Sequence, residues 1–109
     1  MDIIMPRLSE TGRMIRRFRD CVGAWEAGCR RNPSSRIDEL CKDPHYREIV
    51  RMGTRAVPLI LAEMEARPDH WDLALREITG EDPVPRRSWG KLGEIARAWI
   101  EWGRERRLI

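Results

Sequence analysis

The chain has 109 residues, a formal net charge of +3, 41% hydrophobic residues and 36% charged ones. This length fits one domain, since independent domains begin near ~50 residues and cluster around ~100 to 150, and a single helical domain over 1–109 is expected. No segment reaches the about 18 consecutive apolar residues of a membrane span, and the opening MDIIMPRLSE lacks the basic flank and apolar run of a secretory signal, so a cytoplasmic location is expected.

The apolar content is modest, but five tryptophans supplement it with large surfaces suited to burial. Together they supply a thin helical core. The basic residues are nearly all arginine, the lysines being Lys42 and Lys91. A small positive balance permits nucleic acid as a partner without requiring it.

In chain order, Ser9 to Arg31 places Met14, Phe18, Cys21, Val22, Trp25 and Cys29 at steps of three and four, the period of an amphipathic helix with one buried stripe. Ser9 or Thr11 suits its start, and Asn32, Pro33, Ser34 and Ser35 its stop. Gly12, Gly23 and Gly28 weaken it by about 1 kcal/mol each in a helix interior, so it depends on packing. A short turn, Arg36 to Cys41, carries Ile37 and Leu40 on one side. Pro44 opens the next helix, HYREIVRM, with Tyr46, Ile49 and Val50 as its apolar face and Gly53 as its terminator.

Thr54 is an expected cap for a helix over Arg55 to Ala66, where Val57, Leu59, Ile60, Leu61 and Met64 make a broad apolar face. Pro58 is tolerated because amides in the first turn have no helical partner. Asp69 is placed to cap the following helix, with Asp72 beside the positive end of its dipole, and Trp71, Leu75 and Ile78 line one side. Gly80 ends that helix, and EDPVP, Glu81 to Pro85, forms a stiff connector that Val84 pins to the core. The final helix, Lys91 to Arg107, carries Leu92, Ile95, Ala96, Trp99 and Trp102. Two-residue alternation is missing throughout, so the fold is expected to be all-α, a compact bundle of about four to five helices.

The stretch GTRAVPLILAEME, Gly53 to Glu65, followed by ALREITG, Ala74 to Gly80, resembles a HEAT-type helical repeat. The resemblance covers one unit and implies a central antiparallel helix pair. With HWDLAL, ITGEDPVP and WIEWGRER, the same region is similar to a group of small uncharacterised bacterial proteins. By analogy a HEAT-like pair implies a surface for a partner rather than a catalytic centre.

The polar residues support that direction. Cys21, Cys29 and Cys41 are irregularly spaced, with no histidine in zinc-ligand register, and read as reduced thiols. His45 and His70 lie in separate segments, and Asp69 is committed to capping, so neither a metal site nor a histidine base is expected. The acidic residues from Glu63 to Asp82 read as solvated faces with ion pairs such as Asp72 to Arg76. No catalytic, cofactor or metal residues are assigned, and the chain is not expected to be an enzyme.

Two surfaces remain. Trp25 and Trp71 fall in apolar stripes, and Trp99 and Trp102, three apart on the final helix, read first as core filling; because five buried indoles exceed so small an interior, Trp89, Trp99 and Trp102 are also candidates for a partner-binding or dimer surface. Arg13, Arg16 and Arg17 share one side of the first helix, and Arg104, Arg106 and Arg107 crowd the last turn, which gives a candidate basic surface. The leading expectation is a small helical protein-interaction, adaptor or regulatory protein, with self-association or a protein partner. The alternative is a nucleic-acid-associated bacterial regulator that uses the arginine faces.

Overall fold

The computed structural model describes residues 5–32 and 36–109. Among them every regular element is helical: α1 (Met5–Arg31), α2 (Ile37–Leu40), α3 (Pro44–Arg51), α4 (Val57–Ala66), α5 (Asp72–Thr79) and α6 (Leu92–Glu105), with 3-10 turns at Gly53–Ala56 and Arg86–Ser88. The all-α class is as the periodicity requires. The helix count rises to six because the turn at Ile37 closes as a short helix of its own. The chain divides into two compact units, Met1–Glu48 and Ile49–Ile109.

In the first unit α1 begins at Met5, ahead of its expected start, so Thr11 is an interior position rather than a cap. The side chain of Ser9 and the residues Pro33, Ser34 and Ser35 lie outside the described residues. At the other end the Asn32 amide closes on the Gly28 carbonyl at 3.1 Å. Phe18, Cys21, Val22 and Trp25 are buried, the i, i+3, i+4, i+7 stripe of the sequence. Trp25 anchors this unit: its indole N–H donates to the Leu40 carbonyl at 2.8 Å, and its ring tilts against Tyr46 at 5.3 Å between centroids. An Arg17–Glu48 ion pair at 2.6 Å ties α1 to α3. Ile37 is exposed, so the short α2 contributes little apolar burial.

In the second unit Gly53 has φ 72, the left-handed geometry expected after a helix end. Thr54 does not cap α4. A 3-10 turn occupies Gly53–Ala56, and α4 starts at Val57 with proline in its first turn. Val57, Ile60, Leu61 and Met64 of α4 are buried, and their main support is α6 rather than α5, the partner that the repeat resemblance implies. The two helices run antiparallel: Gly103 near the end of α6 faces Leu61, while Pro68, past the end of α4, shares a surface groove with Gly93 at the start of α6.

Helix α5 begins at Asp72 rather than at an Asp69 cap, because the Asp69 carboxylate instead accepts the His70 amide at 2.8 Å. Gly80 ends α5 at φ 74, as expected. Val84 is buried between its two prolines and pins the connector. Trp71, Ala74 and Leu75 from α5 and its entry meet Ile95, Ala96, Trp99 and Trp102 from α6 as the buried set of this unit.

Candidate functional site

The connector from Gly80 to α6 builds the feature that stands out on the second unit. Asp82 Oδ1 accepts the Val84 amide at 3.3 Å, which shapes the approach. After Pro85 the chain tightens into the 3-10 turn, and the amides of Ser88 and Trp89 close on the carbonyls of Pro85 and Arg86. Ser88 is buried, and its hydroxyl donates to Glu94 Oε1 at 2.9 Å, which fastens the turn to the first turn of α6. Gly90 follows at φ 83, a conformation other residues adopt at a cost, and the Lys91 amide returns to the Ser88 carbonyl.

The result is a turn held at both ends that displays Trp89. This indole is 59% exposed, and the Arg86 guanidinium lies over its ring at 5.3 Å from the centroid. Among the described residues the Trp89 N–H has no acceptor, and Arg86 and Arg87 make no ion pair. On one side of the turn a recess of about 260 Å³ is bounded by Trp89, Val84, Ile95 and the Asp72–Arg76 pair. On the other side a groove of about 560 Å³ runs along α6, with Pro83, Pro85 and Arg87 as its far wall.

The other two candidate tryptophans are built into the unit. Trp99 has no exposed surface, and its N–H donates to Asp72 Oδ1 at 2.7 Å. Trp102 packs edge-on against Trp99 at 5.2 Å and donates to Glu81 Oε1 at 3.2 Å. It retains 7% exposure and is covered by Arg106, whose guanidinium sits 4.5 Å from its ring centroid. Two large rings fit a thin core because each carries its own polar partner, a pairing that spacing in the sequence does not reveal. Of the three, only Trp89 presents its ring to solvent.

The arginines also separate by what they touch. Arg104 pairs with Glu65 at 3.0 Å and Arg106 with Glu81 at 2.9 Å, so both are neutralised within the unit. Arg107 is exposed and adopts φ 58 just beyond α6. In the first unit Arg13, Arg16 and Arg17 are exposed on α1, with Arg17 committed to Glu48. The structure thus keeps the basic side of α1, while at the end of α6 it commits Arg104 and Arg106 to carboxylates at the surface and leaves Arg107 exposed.

Three residues that matter here were not singled out from sequence. Arg97, Glu101 and Glu105 line the groove along α6, and their spacing of four was the available signal. Among the described residues no cluster of three or more histidine, cysteine or carboxylate side chains is placed to hold a metal ion, and no helix is long and apolar enough to cross a membrane. No protein-family model, curated protein or solved structure matches this chain.

Proposed function

We propose that this chain is a small protein-interaction module, an adaptor or regulator in a bacterial cytoplasm, and that it captures a protein partner at the Trp89 corner. The observation that carries this reading is the exposure of Trp89 on a turn fastened by Ser88 and Glu94. Tryptophan and arginine are enriched among the residues that dominate binding energy, and a side chain held in place before binding loses less freedom on docking. The unpaired Arg86 over the indole specifies the chemistry of the partner: an acidic segment with an apolar side chain to cover the ring. The HEAT-like order of residues from Gly53 to Gly80 supports binding over catalysis.

The test is cross-linked capture from native cells with the wild-type chain and with Trp89→Ala, followed by titration of the purified partner. The expected outcome is at least about tenfold weaker binding by Trp89→Ala, and weaker binding as salt rises. Equal affinity for the two chains overturns the reading. Capture of nucleic acid instead, lost when Arg13 and Arg16 become glutamine, also overturns it and transfers the function to the basic side of α1.

A further inference from the structure

The groove along α6 has a charge pattern that fits a second copy of itself. Its α6 wall is formed by Glu94, Arg97, Ala98, Glu101, Trp102 and Glu105, spaced three and four apart and therefore on one face of the helix. Glu94 is already occupied, by the Ser88 hydroxyl at 2.9 Å and by Lys91 at 3.8 Å. The remaining charges are segregated. Arg97 and Arg87 lie toward the start of α6, because the Ser88–Glu94 bond holds the Arg87 segment beside the first turn. Glu101 and Glu105 lie toward its end. None of these four makes an ion pair among the described residues, whereas Arg67, Arg76, Arg104 and Arg106 of the same unit are all paired.

We propose that two copies of the chain associate through this groove, α6 against α6, antiparallel about a two-fold axis level with residue 99. A two-fold interface applies the same patch to itself, so its charges must be complementary after reversal of direction. With the axis at that level, Arg97 of one copy meets Glu101 of the other. Glu105, about 9 Å along the helix from the axis at 1.5 Å per residue, meets the turn that carries Arg87. Ala98 lies next to the axis, where a small side chain lets the helices approach. The reverse, parallel arrangement sets arginine against arginine and glutamate against glutamate. Exposed ion pairs add little energy singly, so here they select register and orientation, while Pro83, Pro85 and Ala98 supply apolar contact.

This dimer does not use Trp89 and goes beyond the partner capture proposed above. The test is light scattering after size-exclusion chromatography, over a range of protein concentrations and salt. The wild-type chain is expected to be a dimer that weakens with salt. Arg87→Glu with Arg97→Glu, and separately Glu101→Arg with Glu105→Arg, are each expected to be monomeric at the same concentration, with circular dichroism unchanged. An equimolar mixture of the two variants restores the dimer, because each now complements the other. A wild-type chain that stays monomeric at every concentration, variants that both remain dimeric, or a mixture that stays monomeric overturns the proposal. Trp89→Ala keeps the dimer and loses the captured partner, so the two proposals fail separately.

Discussion

The indole nitrogen of Trp99 donates to Oδ1 of Asp72 at 2.7 Å across 27 positions of sequence. Its ring has no exposed surface, so this carboxylate satisfies a polar group that water does not reach. Oδ2 of the same residue holds Arg76 at 3.1 Å, which makes Asp72 the polar link between α5 and α6. Replacement of Asp72 by alanine strands the buried N–H and is expected to destabilise the chain by about 1–3 kcal/mol. Asp72→Asn keeps an acceptor at that place and gives up only an exposed ion pair, so its cost is expected to be smaller. Urea unfolding of the two variants is the measurement, and equal loss in both removes the hydrogen bond from the account.

Asp72 also illustrates what sequence does and does not disclose. Its ion pair with Arg76 is legible, because i and i+4 meet on any helix. Its bond to Trp99 is not, because only the packing of α6 beside α5 brings the two together. The same division holds elsewhere. The α1 stripe, Gly53, Gly80 and the buried Val84 follow from local period and backbone preference. Thr54 and Asp69 were misread as caps because a short polar side chain before an apolar run has more than one local use: Thr54 entered a 3-10 turn, and Asp69 bonded to its neighbour's amide. At the candidate site the surplus of tryptophan was legible as a count. Which indole stays outside was decided by carboxylates, Asp72 for Trp99 and Glu81 for Trp102, that lie 27 and 21 positions away.

Gly103 permits the closest approach in the second unit. A β-carbon built there lies 2.6 Å from Leu61 Cδ1, so the fully buried Leu61 side chain must shift to admit it. Gly103→Ala is therefore expected to destabilise by about 1 kcal/mol or more, since the overlap exceeds the gain of about 1 kcal/mol that alanine brings to a helix. Gly23, in the interior of α1, is exposed and has nothing within 4 Å of the equivalent position. There the propensity gain stands alone, and Gly23→Ala is expected to stabilise its unit by up to about 1 kcal/mol. Thermal unfolding followed by circular dichroism reads the two signs. Adding Leu61→Val to Gly103→Ala relieves the overlap, so the double variant loses less than the sum of the single ones.

Cys21 provides the pH test. Its thiol is raised above the ordinary value of 9.0, first by burial and next by the Glu48 carboxylate, while Arg17 pulls in the opposite direction. A raised thiol favours the protonated form in the folded chain, whereas the unfolded chain ionises at the ordinary value. The contribution to stability is thus fully present below pH 9.0 and is lost as pH rises from there through the folded value. Cys21→Ser removes the titrating group, so the stability difference between wild type and this variant is expected to fall with alkaline pH. Alkylation of Cys21, followed peptide by peptide by mass spectrometry, reads the same group directly, because only the thiolate reacts. In the wild type it begins at higher pH than for a free cysteine. Glu48→Gln removes one source of the shift and moves the onset to lower pH. An onset that does not respond to Glu48→Gln removes that carboxylate as a cause and leaves burial, with the smaller contributions of Asp20 and Asp43, to raise the thiol.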